Sequence, residues 1–146
     1  MSKVPSPSSL PTTLTKRIPT DKIETPTDVL VTIFSDRIQI LISQKSGKIG
    51  SMLSCNHEYS QIDNSHTFQV SNLLGKREDA LPSVYARQIL EQIVYLGDGM
   101  SNCPPLLLGI TLEDKDGKGS SQEEFKIIVS EVISLYKYAV QTISSS

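Results

Sequence analysis

No tryptophan occurs in this chain of 146 residues, and there are only three phenylalanines and five tyrosines. The interior must therefore be built mainly from Val, Ile and Leu, and it cannot be large. No block of lysine or arginine stands out from a formal net charge of −2, so nucleic-acid binding driven by phosphate neutralisation is not expected. No apolar run approaches the ~20 residues that cross a bilayer, so no membrane-spanning helix is expected. The opening MSKVPSPSSLPTT lacks the apolar core of a secretory signal. Cysteine is scarce, and Cys55 and Cys103 stand far apart. They could close one disulfide, but free thiols in a reducing cytosol are the favoured reading. No internal repeat is visible.

What is present is alternation. Val29, Val31 and Ile33 alternate with other residues, and so do Ile38, Ile40 and Ile42, with Ser35-Asp36-Arg37 between the runs. A period of two over five or more residues marks half-buried strands, and the short polar break marks a turn. The ordered part of the chain thus opens as a β-meander, with strands near 27–35, 37–44 and 48–55, then one near 67–74. Residues 1–13 are rich in Pro, Ser and Thr and are expected to be a disordered tail before a single domain over 14–146. Ile18 and Ile23 could belong to a short strand, with Pro19 then demanding an edge or a bulge. The polar segment from Asn56 to His66 reads as a long loop in which Tyr59 and Ile62 are the large apolar groups.

Two helices follow from a different period. Leu81, Tyr85, Ile89, Ile93 and Leu96 recur at three- and four-residue spacing, with Asp79 as a candidate N-cap and Pro82 in the first turn. Ser121-Gln122-Glu123-Glu124 reads as a capping box for a last helix carrying Phe125, Ile128, Val129, Val132, Leu135, Tyr136, Ala139 and Ile143. Between them, Leu106 to Leu112 is nearly continuously apolar, the mark of a central strand covered on both faces. The expected fold is α+β, an antiparallel sheet of five or six strands with two helices on one face.

Sorting strand residues by parity shows the consequence. One face gathers Val29, Val31, Ile33, Ile38, Ile40, Ile42, Ile49, Leu53, Phe68, Val70, Leu106, Leu108 and Ile110, and should hold the helices. The other gathers Leu30, Phe34, Leu41, Met52 and Leu107 among small and polar residues. Two helices cannot cover both faces. A contiguous apolar patch of this kind is expected to meet a partner chain.

No constellation for chemistry competes with that reading. Cys55, His57, Asp63 and His66 lie close in sequence but match no closed zinc-site spacing. Asp114, Asp116, Gly117 and Glu123 overlap a calcium-loop pattern, yet Leu112 stands where the first ligand belongs and a strand precedes it. Gly117-Lys118-Gly119-Ser120-Ser121 lacks phosphate-loop spacing. No nucleophile elbow occurs. No catalytic residue, metal or cofactor is expected.

A strand ending Thr32-Ile33-Phe34-Ser35, a strand ending near Gln44, and the turn Gly47-Lys48-Ile49-Gly50 resemble the proteasome assembly chaperone 3 family. Leu73-Leu74-Gly75 leading into ALPSVYARQILEQIVYL, and Leu106 to Leu112 before Glu113-Asp114-Lys115 and the last helix, continue the likeness across roughly residues 16–140. The Phe-Ser pair and Gly47, Lys48 and Gly50 carry most of it. The resemblance implies a non-enzymatic chaperone that pairs with a related small chaperone, proteasome assembly chaperone 4. Such a pair promotes assembly of the 20S proteasome α-ring by binding α-subunits, chiefly the α5 type, and is then released. The protein is expected in the cytoplasm, with the nucleus as a second compartment, and a homodimer in isolation and an obligate heterodimer both stay open. Tyr59 and Ile62 are the expected contacts with the client. The alternative is a small enzyme or ligand-binding domain whose site forms between chains.

Overall fold

The computed structural model describes residues 11–19, 21–23, 25–44, 50–75, 80–96, 104–113 and 122–144. In chain order the elements are Thr12–Ile18 (β1), Thr27–Ile33 (β2), Ile38–Ser43 (β3), Ser51–Ser60 (β4), Ser65–Leu74 (β5), Leu81–Leu96 (α1), Leu106–Thr111 (β6) and Gln122–Ser144 (α2). The six strands form one sheet in the order β1-β2-β3-β6-β4-β5. The α+β class and the one-sided helical layer agree with the sequence.

The meander is real but shifted by one strand: it runs β1-β2-β3, and β4, expected to continue it, does not, because β6 lies between β3 and β4. Thr12 and Thr13, placed by composition in the tail, open β1, which pairs antiparallel with β2 from Thr12↔Ile33 to Ile18↔Thr27. Pro19, which has no N–H to offer a ladder, follows the last residue of β1. Its carbonyl accepts from the backbone N–H of Lys22 at 3.0 Å and of Ile23 at 3.2 Å, so residues after Ile18 turn rather than extend the strand. The Ser35-Asp36-Arg37 break is a turn closed by Phe34 N–H donating to the Arg37 carbonyl at 2.9 Å.

The sheet is mixed rather than wholly antiparallel, because β3 and β6 run parallel from Ile38↔Leu106 to Ser43↔Thr111. Strand periodicity is the same in either direction, so only the route of the chain through β4, β5 and α1 fixes this. β6 is central, as its apolar run suggested, lying between β3 and β4. Among the described residues, however, only one of its faces is roofed.

That roof is the helical layer. α2 packs on β1 and β2, α1 packs on β4, β5 and β6, and the two helices touch each other. Val29, Val31, Ile38, Ile40, Ile42, Leu53, Leu106, Leu108 and Ile110 from the strands join Tyr85, Ile89, Leu90, Ile128 and Val132 in one core. The Tyr85 and Phe125 rings join the helices edge to face, with centroids 4.7 Å apart, a geometry that adds about 1 kcal/mol to simple burial. α2 carries Glu123 and Glu124 in its first turn, where the helix dipole favours negative charge. Asp79 and Ser121, the candidate caps, and Ile49 lie outside the described residues.

A buried polar hub ties the elements at one end. Gln44 donates from Nε2 to Thr27 Oγ1 at 3.1 Å and to Glu124 Oε1 at 3.0 Å, while its Oε1 accepts from Glu113 N–H at 2.8 Å. One side chain thereby joins the ends of β2, β3 and β6 to the start of α2. A second clamp is Glu131 on α2, which meets Lys16 of β1 and accepts from Lys22 Nζ at 3.3 Å. The contact with Lys16 is the larger influence holding the Glu131 carboxyl below the usual range, and burial works against it.

Candidate functional site

The sheet face that no described helix covers carries a row of half-buried apolar side chains. The strand registers line up Thr15, Leu30, Leu41, Gly109, Met52 and Leu74 in one row across all six strands. The next row runs Thr13, Thr32, Gln39, Leu107, Ser54 and Ser71. Leu30, Leu41, Met52 and Leu107 are each half-buried by their own neighbours and leave the rest of their surface open. Gly109, without a side chain, makes a dip between Leu41 and Met52. Four of the five residues expected on this face are therefore neighbours. The fifth, Phe34, sits past the end of β2 at the margin, half-buried, with the Arg37 guanidinium 6.0 Å from its ring centroid.

One end of this face is hollow. A depression of about 500 Å³ is lined by Thr15, Arg17, Asp28, Leu30, Leu41 and Ser43, among others. Its rim is a two-pronged ion pair, with Arg17 Nε donating to Asp28 Oδ1 at 2.7 Å and a terminal Arg17 nitrogen donating to Oδ2 at 3.0 Å. The hydrogen bonds from Arg17 lower the Asp28 carboxyl below its ordinary range. Nearby, the Thr13 and Thr32 hydroxyls meet at 3.0 Å. An apolar floor with a directional charged rim can take a partner's side chain and fix its register.

The segment from Asn56 to His66, read from sequence as a loop, is mostly strand. β4 and β5 pair from Leu53↔Asn72 to Ser60↔Ser65, and only residues 61–64 form the turn. β4 meets β6 only through Ser51 to Cys55, so the outer half of the hairpin projects past the body of the sheet. Asn64 takes a positive φ of 53°, a conformation asparagine tolerates in tight turns. Its side-chain oxygen accepts from Tyr59 Oη at 2.8 Å, and Asp63 accepts from Ser65 Oγ at 2.7 Å. Ile62, at the apex, is 98% exposed. Tyr59 and Ile62 are thus separate features: one braces the arm, the other caps it.

Aromatic and imidazole rings stiffen the arm. His57 Nε2 and His66 Nδ1 lie 2.9 Å apart, the two rings stack, and Phe68, Tyr59 and Tyr95 of α1 pack around them. Burial, and secondarily the neighbouring His66, lower the tendency of His57 to take a proton. Asp63 is committed to the turn, and Cys55 is buried and free, its thiol pushed up to about 12 by desolvation. Among the described residues, no three His, Cys, Asp or Glu side chains gather as a metal site. Cys103, Gly47 and Lys48 lie outside the described residues. Gly50 is described, and its N–H donates to Thr111 Oγ1 where β4 begins beside β6.

A family model described as proteasome assembly chaperone 3 matches residues 40–134. The chain belongs to the proteasome assembly chaperone 3 family. A curated relative from Nematostella vectensis, named proteasome assembly chaperone 3, is 31% identical over 119 residues, covering 75% of this chain and 78% of its own. The fold resembles a chain in the crystal structure of a chaperone complex for yeast 20S proteasome assembly, with a TM-score of 0.54 and 14% identity, over 92% of this chain and 98% of that one. Membership assigns the protein to a chaperone family whose role is not enzymatic. It also suits the geometry, in which binding surface is abundant and reactive groups are tied up in structural contacts.

Proposed function

We propose that this protein acts in 20S proteasome assembly by pairing with a related small chaperone through the helix-free face of its sheet. The pair then holds α-subunits, chiefly the α5 type, while the α-ring forms, and leaves as β-subunits arrive. The observation that supports pairing most directly is the row Leu30, Leu41 and Met52, half-buried on a face that, among the described residues, no helix covers. Burying such a row against a similar sheet would complete a two-layer sandwich core. In the absence of its partner, the same face would join two copies of this chain. The projecting hairpin, capped by Ile62, supports a separate contact with the client subunit. This activity belongs in the cytoplasm and the nucleus, where proteasome subunits meet.

The test is co-expression with a proteasome assembly chaperone 4-like partner and with individual α-subunits, followed by size exclusion and mass identification. Capture of α5 in the presence of the partner, and release when β-subunits are added, is the expected outcome. Absence of any α-subunit from the complex overturns the reading. Replacing Leu41 by Glu should abolish pairing while circular dichroism stays native, because a carboxylate would be buried unpaired at the contact.

A further inference from the structure

The helical layer, on the side of the molecule away from the proposed pairing face, contains a polar groove of about 390 Å³ between α1 and α2. Its walls are regular. Gln88 and Gln92 stand one turn apart on α1, and Ser130 and Ser134 stand one turn apart on α2. Lys126 and Lys137 close the α2 wall at its two ends. Beneath lie Phe125, Val129 and Ile133, so the floor is apolar. No carboxylate lines the groove among the described residues, in a protein whose net charge is −2. Glu91, the nearest acid of α1 in sequence, is engaged by Arg87 at 2.8 Å. Glu123 stands one turn before Lys126, outside the lining.

We infer that this groove docks an extended acidic segment of a partner protein, with a carboxylate at each end held by Lys126 and Lys137. The chemistry of the walls selects the conformation, and the lysine spacing sets the length. The eleven residue steps from Lys126 to Lys137 span roughly 16 Å of helix. The Gln and Ser pairs along the walls suit an extended chain, whose backbone N–H and C=O groups are free, rather than a helix, whose groups are already paired. An extended chain rises about 3.3 Å per residue and its side chains alternate, so carboxylates four positions apart share one face about 13 Å apart, and the flexible lysine stems take up the remaining ~3 Å. The amide and hydroxyl pairs along the walls can donate to and accept from the intervening backbone, while Val129 and Ile133 take a small apolar side chain. Charge sign and polarity point to one occupant, and the groove remains open when the sheet face is covered.

A fluorescent pentapeptide with glutamate at its first and last positions and Ser-Ala-Ser between them tests this on the full chain. Anisotropy should show saturable binding that weakens several-fold between 50 and 200 mM salt. The exposed-surface variant Lys126→Glu with Lys137→Glu should bind at least tenfold more weakly, with an unchanged circular dichroism spectrum. The same variant should bind a peptide carrying lysine at both ends, which the native chain rejects. Gln92→Ala should weaken binding several-fold and leave the salt dependence unchanged. Absence of saturable binding, equal binding by the charge-reversed variant, or equal capture of a six-nucleotide single strand through the same lysines would each overturn the inference. None of these outcomes depends on whether the sheet face pairs.

Discussion

Cys55 and His57 face the helix layer two positions apart on one strand, and both are held in their neutral forms. Burial pushes the Cys55 thiol up to about 12, so almost none of it is thiolate at neutral pH, and the thiolate is the reactive form. A Cys103→Ser variant should therefore show no reaction with a thiol reagent in native buffer and full reaction in denaturant. Rapid native reaction would place Cys55 at the surface. His57 is 3% exposed, and its imidazole binds a proton less readily than in the unfolded chain. Above the ordinary histidine range both states are neutral and the group contributes no pH dependence. As pH falls below about 6.5 the unfolded chain takes up a proton that the folded chain resists, so stability falls. His57→Phe should flatten that part of a stability profile measured by urea unfolding. A slope unchanged between pH 7 and 5 would assign the effect to other groups.

At the scale of elements, the β4–β5 hairpin shows why a polar segment can still be a strand. His57 and Tyr59 alternate with Asn56, Glu58 and Ser60, and His66 and Phe68 answer from the other arm. The period of two is present, but the inward groups are imidazoles and a phenol, which a hydrophobicity pattern does not count. The Asp63-Asn64 turn was the signal available in the sequence. The Gln44 hub is a second element-level device, and nothing in the spacing of the chain revealed it. Its partners come from residues 17, 69 and 80 positions away. Gln44→Ala would leave the part-buried Glu113 N–H and the buried Thr27 hydroxyl without this partner. A loss of about 2 kcal/mol is expected, since an unmade buried hydrogen bond costs about 1–3 kcal/mol. Urea denaturation measures it directly, and a loss below about 0.5 kcal/mol would mean that water replaces the amide.

For the whole molecule, the mixed sheet separates two surfaces: an aliphatic row open on one side, and a helical layer with its polar groove on the other. Substitutions on the open face should divide accordingly. Leu41→Glu, in the middle of the row, should weaken association at least a hundredfold. Phe34→Glu, at the margin beside Arg37, should weaken it by a smaller factor. Sedimentation equilibrium of the two variants checks the order, and a larger effect at Phe34 would move the contact towards the β2–β3 turn. Ile62→Asp, at the hairpin apex, should leave pairing intact and reduce capture of α-subunits. If capture is unchanged, the client contact lies elsewhere. Acid should destabilise the fold through Asp28, Asp63 and Glu131, whose carboxyls are all held below their usual range. Their contribution is present above about pH 4 and is lost as pH falls through their folded values.

The amino-acid pattern by itself determined the alternating strands, the two amphipathic helices and the existence of a second apolar face. Each of these depends on side chains a few residues apart, and local geometry makes their period visible. It also named Leu30, Leu41, Met52 and Leu107 as one patch, because strand parity assigns faces whichever way the strands pair. Only the tertiary structure decided that β6 runs parallel to β3, that β4 and β5 extend as an arm, and that Phe34 stands at the rim of the patch. Only there do Arg17 and Asp28, or Glu131 and Lys16, become pairs, and only there do two helices set Lys126 and Gln88 on opposite walls of one groove. These relations join residues distant in sequence, and the chain's path through space, which no local period encodes, brings them together.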